Sequence, residues 1–343
     1  YSCSEGQETR LSLAKFNEIG RRFITKLWNA SRFVLLSLER APDAAVGFSA
    51  PAEEDLWIAS RCASTVRAVR SALDAFDFGP VGQVLYRFVW NDYCDWFLEL
   101  SKGRLQGEDP AAARRAAHVL GVTLVDILRL LHPIVPFITE ELWGKVLAAM
   151  DAKKLWLGAR PSSELLILER YPVADAEPGA SVPDVSLEDR FESLQRLVSR
   201  VRKARADARL PESVRLQVLV KPLSDDFHRL VEATSPVLCR LANLESLTFA
   251  SQRPPGSVTG VDPRFEMYVG LGRHLDLKVE VARIDKEMAA LKKKLDLVSR
   301  KLANPKFLAG APEAVVEGEK AKDRELKEMI GKLEALRAEY AAS

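Results

Sequence analysis

From Leu277 the apolar positions run Leu277, Val281, Ile284, Met288, Leu291, Leu295, Val298 and Leu302, in alternating steps of four and three residues. A stripe repeating every 3.5 residues stays on one side of a helix and seats against a partner, the pattern of a coiled coil. A second stripe passes through Val316, Leu326, Met329, Leu333, Leu336 and Tyr340. Between them lies Asn304-Pro305-Lys306-Phe307-Leu308-Ala309-Gly310-Ala311-Pro312, where Pro and Gly stop one helix and start the next. The two arms match in length. The pattern therefore predicts one antiparallel hairpin over residues 276–343, each arm roughly 40 Å long at about 1.5 Å per residue. Such an arm has little core of its own and projects from a body in order to touch something. Because it closes on itself, it points to a monomer.

Upstream, helical spacing dominates. Apolar positions predict helices over Phe16–Leu38, Asp55–Phe76, Val81–Lys102, Ala111–His132 and Thr139–Met150. His132-Pro133 ends the fourth, since a residue before proline avoids the α region. All six tryptophans lie before residue 157, so residues 1–157 read as a helix bundle with a heavy aromatic core. Residues 158–187 are rich in Pro, Gly and small residues and read as linker, with one short strand at Leu165–Leu168. Residues 188–275 read as a small α+β domain: an amphipathic helix over Glu188–Arg209, strands at Leu216–Val220 and Leu244–Ala250 around a helix at Asp225–Leu241, and a third strand at Glu266–Leu271. The predicted class is mainly α: a helix bundle, a small α+β domain and a C-terminal antiparallel coiled-coil hairpin.

Composition narrows the chemistry. The chain has 343 residues, enough for two or three domains, and a net charge of only +2, so any basic surface is local. The four cysteines, Cys3, Cys62, Cys94 and Cys239, are far apart and fit reduced thiols in a cytoplasmic protein. The apolar stretch Leu124–Ile138 is broken by Asp126, Arg129, His132 and two prolines, so no membrane span is expected. The chain starts with Tyr and without a signal peptide, and reads as a piece of something longer.

No catalytic constellation emerges. A GxxxxGK[ST] loop is missing, Gly270-Leu271-Gly272 is half a dinucleotide fingerprint in the wrong context, and the four histidines have no metal-ligand spacing and read as surface or helix-end residues. Asp92, Asp95 and Glu99 share a helix with Lys102 at pairing distance, which reads as structural pairing. Asn29-Ala30-Ser31 is a formal glycosylation sequon inside a predicted helix and is set aside. Neither catalytic nor metal residues, and no cofactor in this chain, are expected.

Binding features are stronger. On the first helix Lys26 and Phe33 are seven residues apart and share a face, with Asn29 and Arg32 beside them. Cations next to an aromatic suit a single-stranded nucleic acid, by phosphate neutralisation plus base stacking; a solvated face with Phe33 in the core explains the same spacing. The helix Glu188–Arg209 carries seven cations, including Arg202 and Arg205, against four acids. RNA contact or simple placement of cations at the negative end of the helix dipole would account for them equally. The first hairpin arm carries Lys292, Lys293, Lys294, Arg300 and Lys301 distally, a patch suited to an RNA backbone or to an ordinary solvated flank.

Three runs carry a resemblance. Lys26-Leu27-Trp28-Asn29-Ala30-Ser31-Arg32-Phe33, Asp92-Tyr93-Cys94-Asp95-Trp96-Phe97-Leu98-Glu99, and Leu130 to Trp143 with its HP-x-x-PF-x-x-EELW pattern resemble the anticodon-binding bundle of class I aminoacyl-tRNA synthetases. Asn304-Pro305-Lys306-Phe307 and Ala311-Pro312-Glu313-Ala314-Val315-Val316-Glu317, set between two heptad arms, are similar to the C-terminal coiled coil of the valyl-tRNA synthetase family. Arg202 to Asp207 matches that family's basic helix. The resemblance implies that the bundle reads a tRNA anticodon through Lys26, Asn29, Arg32 and Phe33 with Leu98 as an apolar wall. It implies that the hairpin leans on the tRNA elbow, with Arg202, Arg205, Lys292, Lys293, Lys294, Arg300 and Lys301 meeting its backbone.

The same resemblance sets a limit. The HIGH and KMSKS signatures that bind ATP are missing, as are the nucleotide-binding and editing domains, so ATP and Mg are expected only in the full-length enzyme. Tyr1-Ser2-Cys3-Ser4-Glu5-Gly6-Gln7 is similar to a segment just downstream of KMSKS. The expected function is the tRNA-binding portion of a ligase that attaches valine to tRNA, with the catalytic domain in cis or on a second chain. A free-standing RNA-binding paralogue and a coiled-coil protein-interaction module are the alternatives.

Overall fold

The computed structural model describes residues 13–173, 183–208, 210–254, 257–270, 277–304, 307 and 312–342. The readings placed on Tyr1–Gln7, Leu271-Gly272, His274, and much of the hairpin tip (305–306 and 308–311) lie outside these residues. The protein is mainly helical, and its packing divides it into two compact units, Tyr1–Asp189 and Arg190–Ser343.

In the first unit, helices α1 (Leu13–Glu39), α2 (Glu53–Asp74), α3 (Phe78–Tyr86), α4 (Leu98–Leu105), α5 (Pro110–Leu131) and α6 (Pro136–Ala152) form the bundle. Trp57, Phe88, Tyr93, Phe97 and Trp143 are fully buried at its centre. Local chemistry sets the ends. Asp109 caps α5 by accepting from the backbone N–H of Ala111 and Ala112 at 2.9 and 3.2 Å, and Pro110 follows at the first helical position, where its missing N–H costs nothing. The buried Arg114 donates to the carbonyls of Pro42, Lys153 and Lys154 at 2.8, 3.0 and 2.6 Å, tying the end of α6 to α5.

α3 and α4 belong to one continuous helix, as the apolar spacing predicts, but the stretch between them, Arg87–Phe97, is wound wider, with backbone bonds reaching one residue further than in an α-helix. The wider winding increases the angle between Asp92 and Asp95. Asp92 faces inward, 2 % exposed, and meets Arg61 of α2 at 3.0 Å, whereas Asp95 faces α1. Arg61 also reaches Glu188 at 2.7 Å, and Ser60 and Ser64 donate to the same carboxylate at 2.6 and 2.7 Å. Nearby, Arg104 grips Asp55 with two nitrogens, at 2.7 and 2.6 Å. The short strand expected at Leu165–Leu168 is a 3-10 turn (Leu166–Leu168), because the Glu140 carboxylate accepts the N–H groups of Leu166 and Ile167 at 2.9 and 3.1 Å and leaves no ladder to join. His118 also departs from expectation. It lies mid-α5, half-buried, its Nδ1 donating to the Leu155 carbonyl at 2.7 Å, and burial pushes its pKa down.

Helix α7 (Val185–Asp207) begins in the first unit and continues in the second. There β1 (Leu216–Pro222), α8 (Asp225–Ala242), β2 (Leu244–Phe249), β3 (Ser257–Val261) and β4 (Phe265–Gly270) build a four-stranded sheet in the order β2-β1-β4-β3. β1 and β2 are parallel, joined by the α8 crossover; β1–β4 and β3–β4 are antiparallel. β3 was not anticipated. Its five residues include Gly260 and are buried throughout, so no alternation marks them.

Helices α9 (Leu277–Leu302) and α10 (Glu313–Ala342) pack tightly against each other. Ile284, Met288 and Leu291 meet Ile330, Leu333 and Leu336, and Val261 of β3 joins this cluster at its base. Cross-pairs Asp285–Arg337, Lys292–Glu334, Ser299–Asp323 and Lys301–Glu319 step in opposite directions along the two helices, which fixes an antiparallel pair. Between Val316 and Leu326 the seam continues through Glu319 and Asp323, so its distal part is polar. Among the described residues no helix is long and apolar enough to cross a membrane.

Candidate nucleic-acid interface

The first-helix residues come together on one side of the bundle. Successive turns of α1 place Arg22, Lys26, Asn29 and Phe33 in one row and Arg21, Thr25, Trp28 and Arg32 in the next. Arg32 and Asn29 are exposed, and Lys26 and Phe33 are half-buried. Phe33 is therefore not a core residue; the Lys102 ammonium lies 5.8 Å from its ring centroid. Lys102 also bonds Glu99 at 2.5 Å, and Lys26 pairs with Asp95. The carboxylates on this helix thus serve as partners for cations, one with Arg61 and two at the α1 face. Leu98, only 7 % exposed, is part of the bundle core.

Two aromatics that the spacing did not single out belong here. Trp28 is 45 % exposed beside Arg32, and its large uncovered ring was hidden by the general placement of tryptophans in the core. Trp90 is half-buried, stacked on Tyr86 at 5.2 Å, with Lys26 Nζ 4.7 Å from its centroid. A shallow cleft of about 330 Å³ opens here between Arg21, Arg22, Thr25, Lys26, Asn29 and Trp90.

In the second unit the candidate cations divide. Arg202 donates twice to the Leu241 carbonyl, at 3.0 and 2.6 Å, and Arg205 donates to the carbonyls of Pro211, Val214 and Asn243 at 3.1, 2.5 and 3.0 Å. Both clamp the end of α8, where Asn243 turns the chain at φ 52°, a left-handed conformation that Asn tolerates. No carboxylate partner is found for either among the described residues, and their geometry is set by the fold. Replacing Arg205 by Ala is expected to cost about 1–3 kcal/mol, because it strands carbonyls; chemical denaturation of the Arg205→Ala chain measures it. An unchanged denaturation midpoint would show that the clamp is dispensable.

On the hairpin, Lys292 pairs with Glu334 at 2.8 Å, Arg300 with Asp296 at 2.8 Å and Lys301 with Glu319 at 3.8 Å. Lys293 and Lys294 are exposed, and no carboxylate partner is found for them among the described residues. Exposed pairs are worth little and exchange readily for a phosphate. No group of three or more His, Cys, Asp or Glu side chains gathers as metal ligands would among the described residues.

Residues 55–220 match the family described as the anticodon-binding domain of tRNA ligase, and residues 276–339 match the valyl tRNA synthetase tRNA binding arm. The valine--tRNA ligase of Enterococcus faecalis is 34% identical over 339 residues, 98% of this chain and 36% of its own length. That of Thermotoga maritima is 33% identical over 336 residues (97% and 36%), and that of Lactiplantibacillus plantarum 35% over 320 (92% and 34%). The chain belongs to the valine–tRNA ligase family. It spans little more than a third of the length of these relatives. The arm match falls on the hairpin α9–α10, whereas the anticodon-domain match runs from the start of α2 through the bundle into β1 and leaves α1, with its aromatic-and-cation face, outside.

Proposed function

We propose that this chain is the tRNA-binding part of a valine–tRNA ligase, gripping one tRNA through the α1 face and the hairpin. The observation that carries this reading is the exposure of a half-buried Phe33 among Lys26, Asn29, Arg32 and Lys102, in a chain whose hairpin matches a tRNA-binding arm. An anticodon loop offers unstacked bases that an aromatic and cations can read. Phe33 stacks a base, and Arg32 and Lys26 meet phosphates or base edges, with Lys26 leaving Asp95. Leu98 supports this wall from beneath. Lys293, Lys294 and Arg300 meet the backbone at the elbow, joined by Lys292 and Lys301 as their pairs open; Arg202 and Arg205 add charge from fixed positions.

In domain terms, residues 1–157 read the anticodon, 158–187 link, 188–275 form the small α+β domain and 276–343 form the arm. In the full-length protein, ATP and Mg would serve a catalytic domain that attaches valine, in cis or on a second chain. This chain supplies none of that chemistry. A cytoplasmic setting suits both tRNA charging and the free thiols of Cys62, Cys94 and Cys239.

Phe33→Ala tests the anticodon contact. It is expected to weaken binding of valine-accepting tRNA by about 1–3 kcal/mol, the worth of one stacked base, while the melting temperature stays within a few degrees. Unchanged affinity, or a collapse in stability, would return Phe33 to a purely structural role.

A further inference from the structure

We propose that the cleft beside Lys26 is a second nucleotide site, in which the Trp90 indole stacks an unpaired RNA base and Arg21, Arg22 and Lys26 hold the adjoining phosphates. The inference rests on the tRNA reading above, shares Lys26 and Asn29 with it, and extends it to Arg21, Arg22, Thr25 and Trp90, which that reading does not use.

The lining supplies what a nucleotide requires. Three cations line the cleft; Glu18, one turn back on α1, pairs with Arg22, and Asp95 pairs with Lys26. Thr25 and the Asn29 amide offer both donors and acceptors for a base edge. Trp90 offers a flat ring held firmly: Tyr86 stacks on it with an interplanar angle of 17°, and Phe23 lies 5.9 Å from Tyr86. A free phosphate would use only the cations and a bare aromatic ring only the indole; a nucleotide in a strand uses both.

The free state already contains a stand-in. The Lys26 ammonium lies over the Trp90 ring, where a base would stack, and pairs with Asp95, whose side chain is 43% exposed. Such a pair opens at small cost. An arriving phosphate takes Lys26 away from Asp95 and uncovers the indole, so phosphate binding and base stacking are coupled through one side chain. Phe33 lies seven residues from Lys26, roughly 10 Å along the helix axis, so the two aromatics hold separate bases of the same strand.

The test titrates the full chain with valine-accepting tRNA at low salt and follows tryptophan fluorescence and affinity. Trp90→Leu is expected to weaken binding about 5- to 100-fold, and Trp90→Phe, which keeps a ring, only a few-fold. The wild-type fluorescence change on binding should shrink markedly in Trp90→Phe, the exposed Trp28 accounting for what is left. If Trp90→Leu fails to fold, the Trp90→Phe fluorescence decides alone. Wild-type affinity in a folded Trp90→Leu chain, or an undiminished fluorescence change in Trp90→Phe, overturns the second site. If Phe33→Ala still weakens binding in that case, the tRNA reading stands without it. Absence of any binding by the wild-type chain overturns both.

Discussion

Replacing Arg61 by Met lowers the stability of the first unit by about 3–5 kcal/mol, because it leaves two inward-facing carboxylates without the guanidinium that holds them. Arg61 bonds Asp92 at 3.0 Å and Glu188 at 2.7 Å, and Asp92 is almost wholly buried. Since all six tryptophans lie before residue 157, their fluorescence reports this unit selectively, and a midpoint shift of roughly 10 °C is expected. Adding Asp92→Leu to Arg61→Met should recover part of the loss, since an apolar replacement removes the buried charge that Arg61 balanced. A shift of only a degree or two in the single variant would mean that water or other groups replace Arg61.

The same network predicts a pH dependence. Burial raises the pKa of Glu188, but hydrogen bonds from Ser60, Arg61 and Ser64 outweigh it and hold the carboxyl below its usual range. A depressed carboxyl contributes stability that is present above its unfolded pKa and lost as pH falls through the folded one. The wild-type chain should therefore lose stability on acidification below the ordinary glutamate range, and Arg61→Met should lose less over that interval.

The second large effect falls on RNA affinity. Replacing Lys293, Lys294 and Arg300 together by Gln removes three exposed cations, of which only Arg300 has a carboxylate partner, an exposed one, among the described residues. Stability should barely change. The slope of log affinity against log salt should fall by roughly one per cation that meets a phosphate, and binding at low salt should weaken accordingly. A variant with the wild-type slope would show that the arm's cations do not face the RNA.

How far the sequence carried the fold depended on whether an element is held by its own periodicity or by its neighbours. The seam from Val281 to Leu295 was legible because every step serves one interface, and Ile284, Met288 and Leu291 are buried as the spacing requires. The partner stripe was broken between Val316 and Leu326 because Glu319 and Asp323 occupy seam positions with polar side chains. β3 was illegible because β4 and the cluster at the hairpin base bury a segment that has no alternation. The α1 face was legible as a row of residue types, but spacing alone could not decide whether Phe33 is core or, as found, half-buried. Trp90 was hidden because the wide winding of Arg87–Phe97 defeats a 3.6-residue reading, so its ring counted as core. The clamp that Arg202 and Arg205 form was illegible because a cation's carbonyl partners come from distant segments.

Whether two surfaces of this chain hold one tRNA is decided by the affinity of the purified chain for valine-accepting tRNA and for the same tRNA with an altered anticodon, at two salt concentrations. Tight binding at low salt, a steep decline at high salt, and weaker binding of the altered tRNA at both are expected. Binding that ignores salt, or equal affinity for both tRNAs, would contradict the two-surface grip.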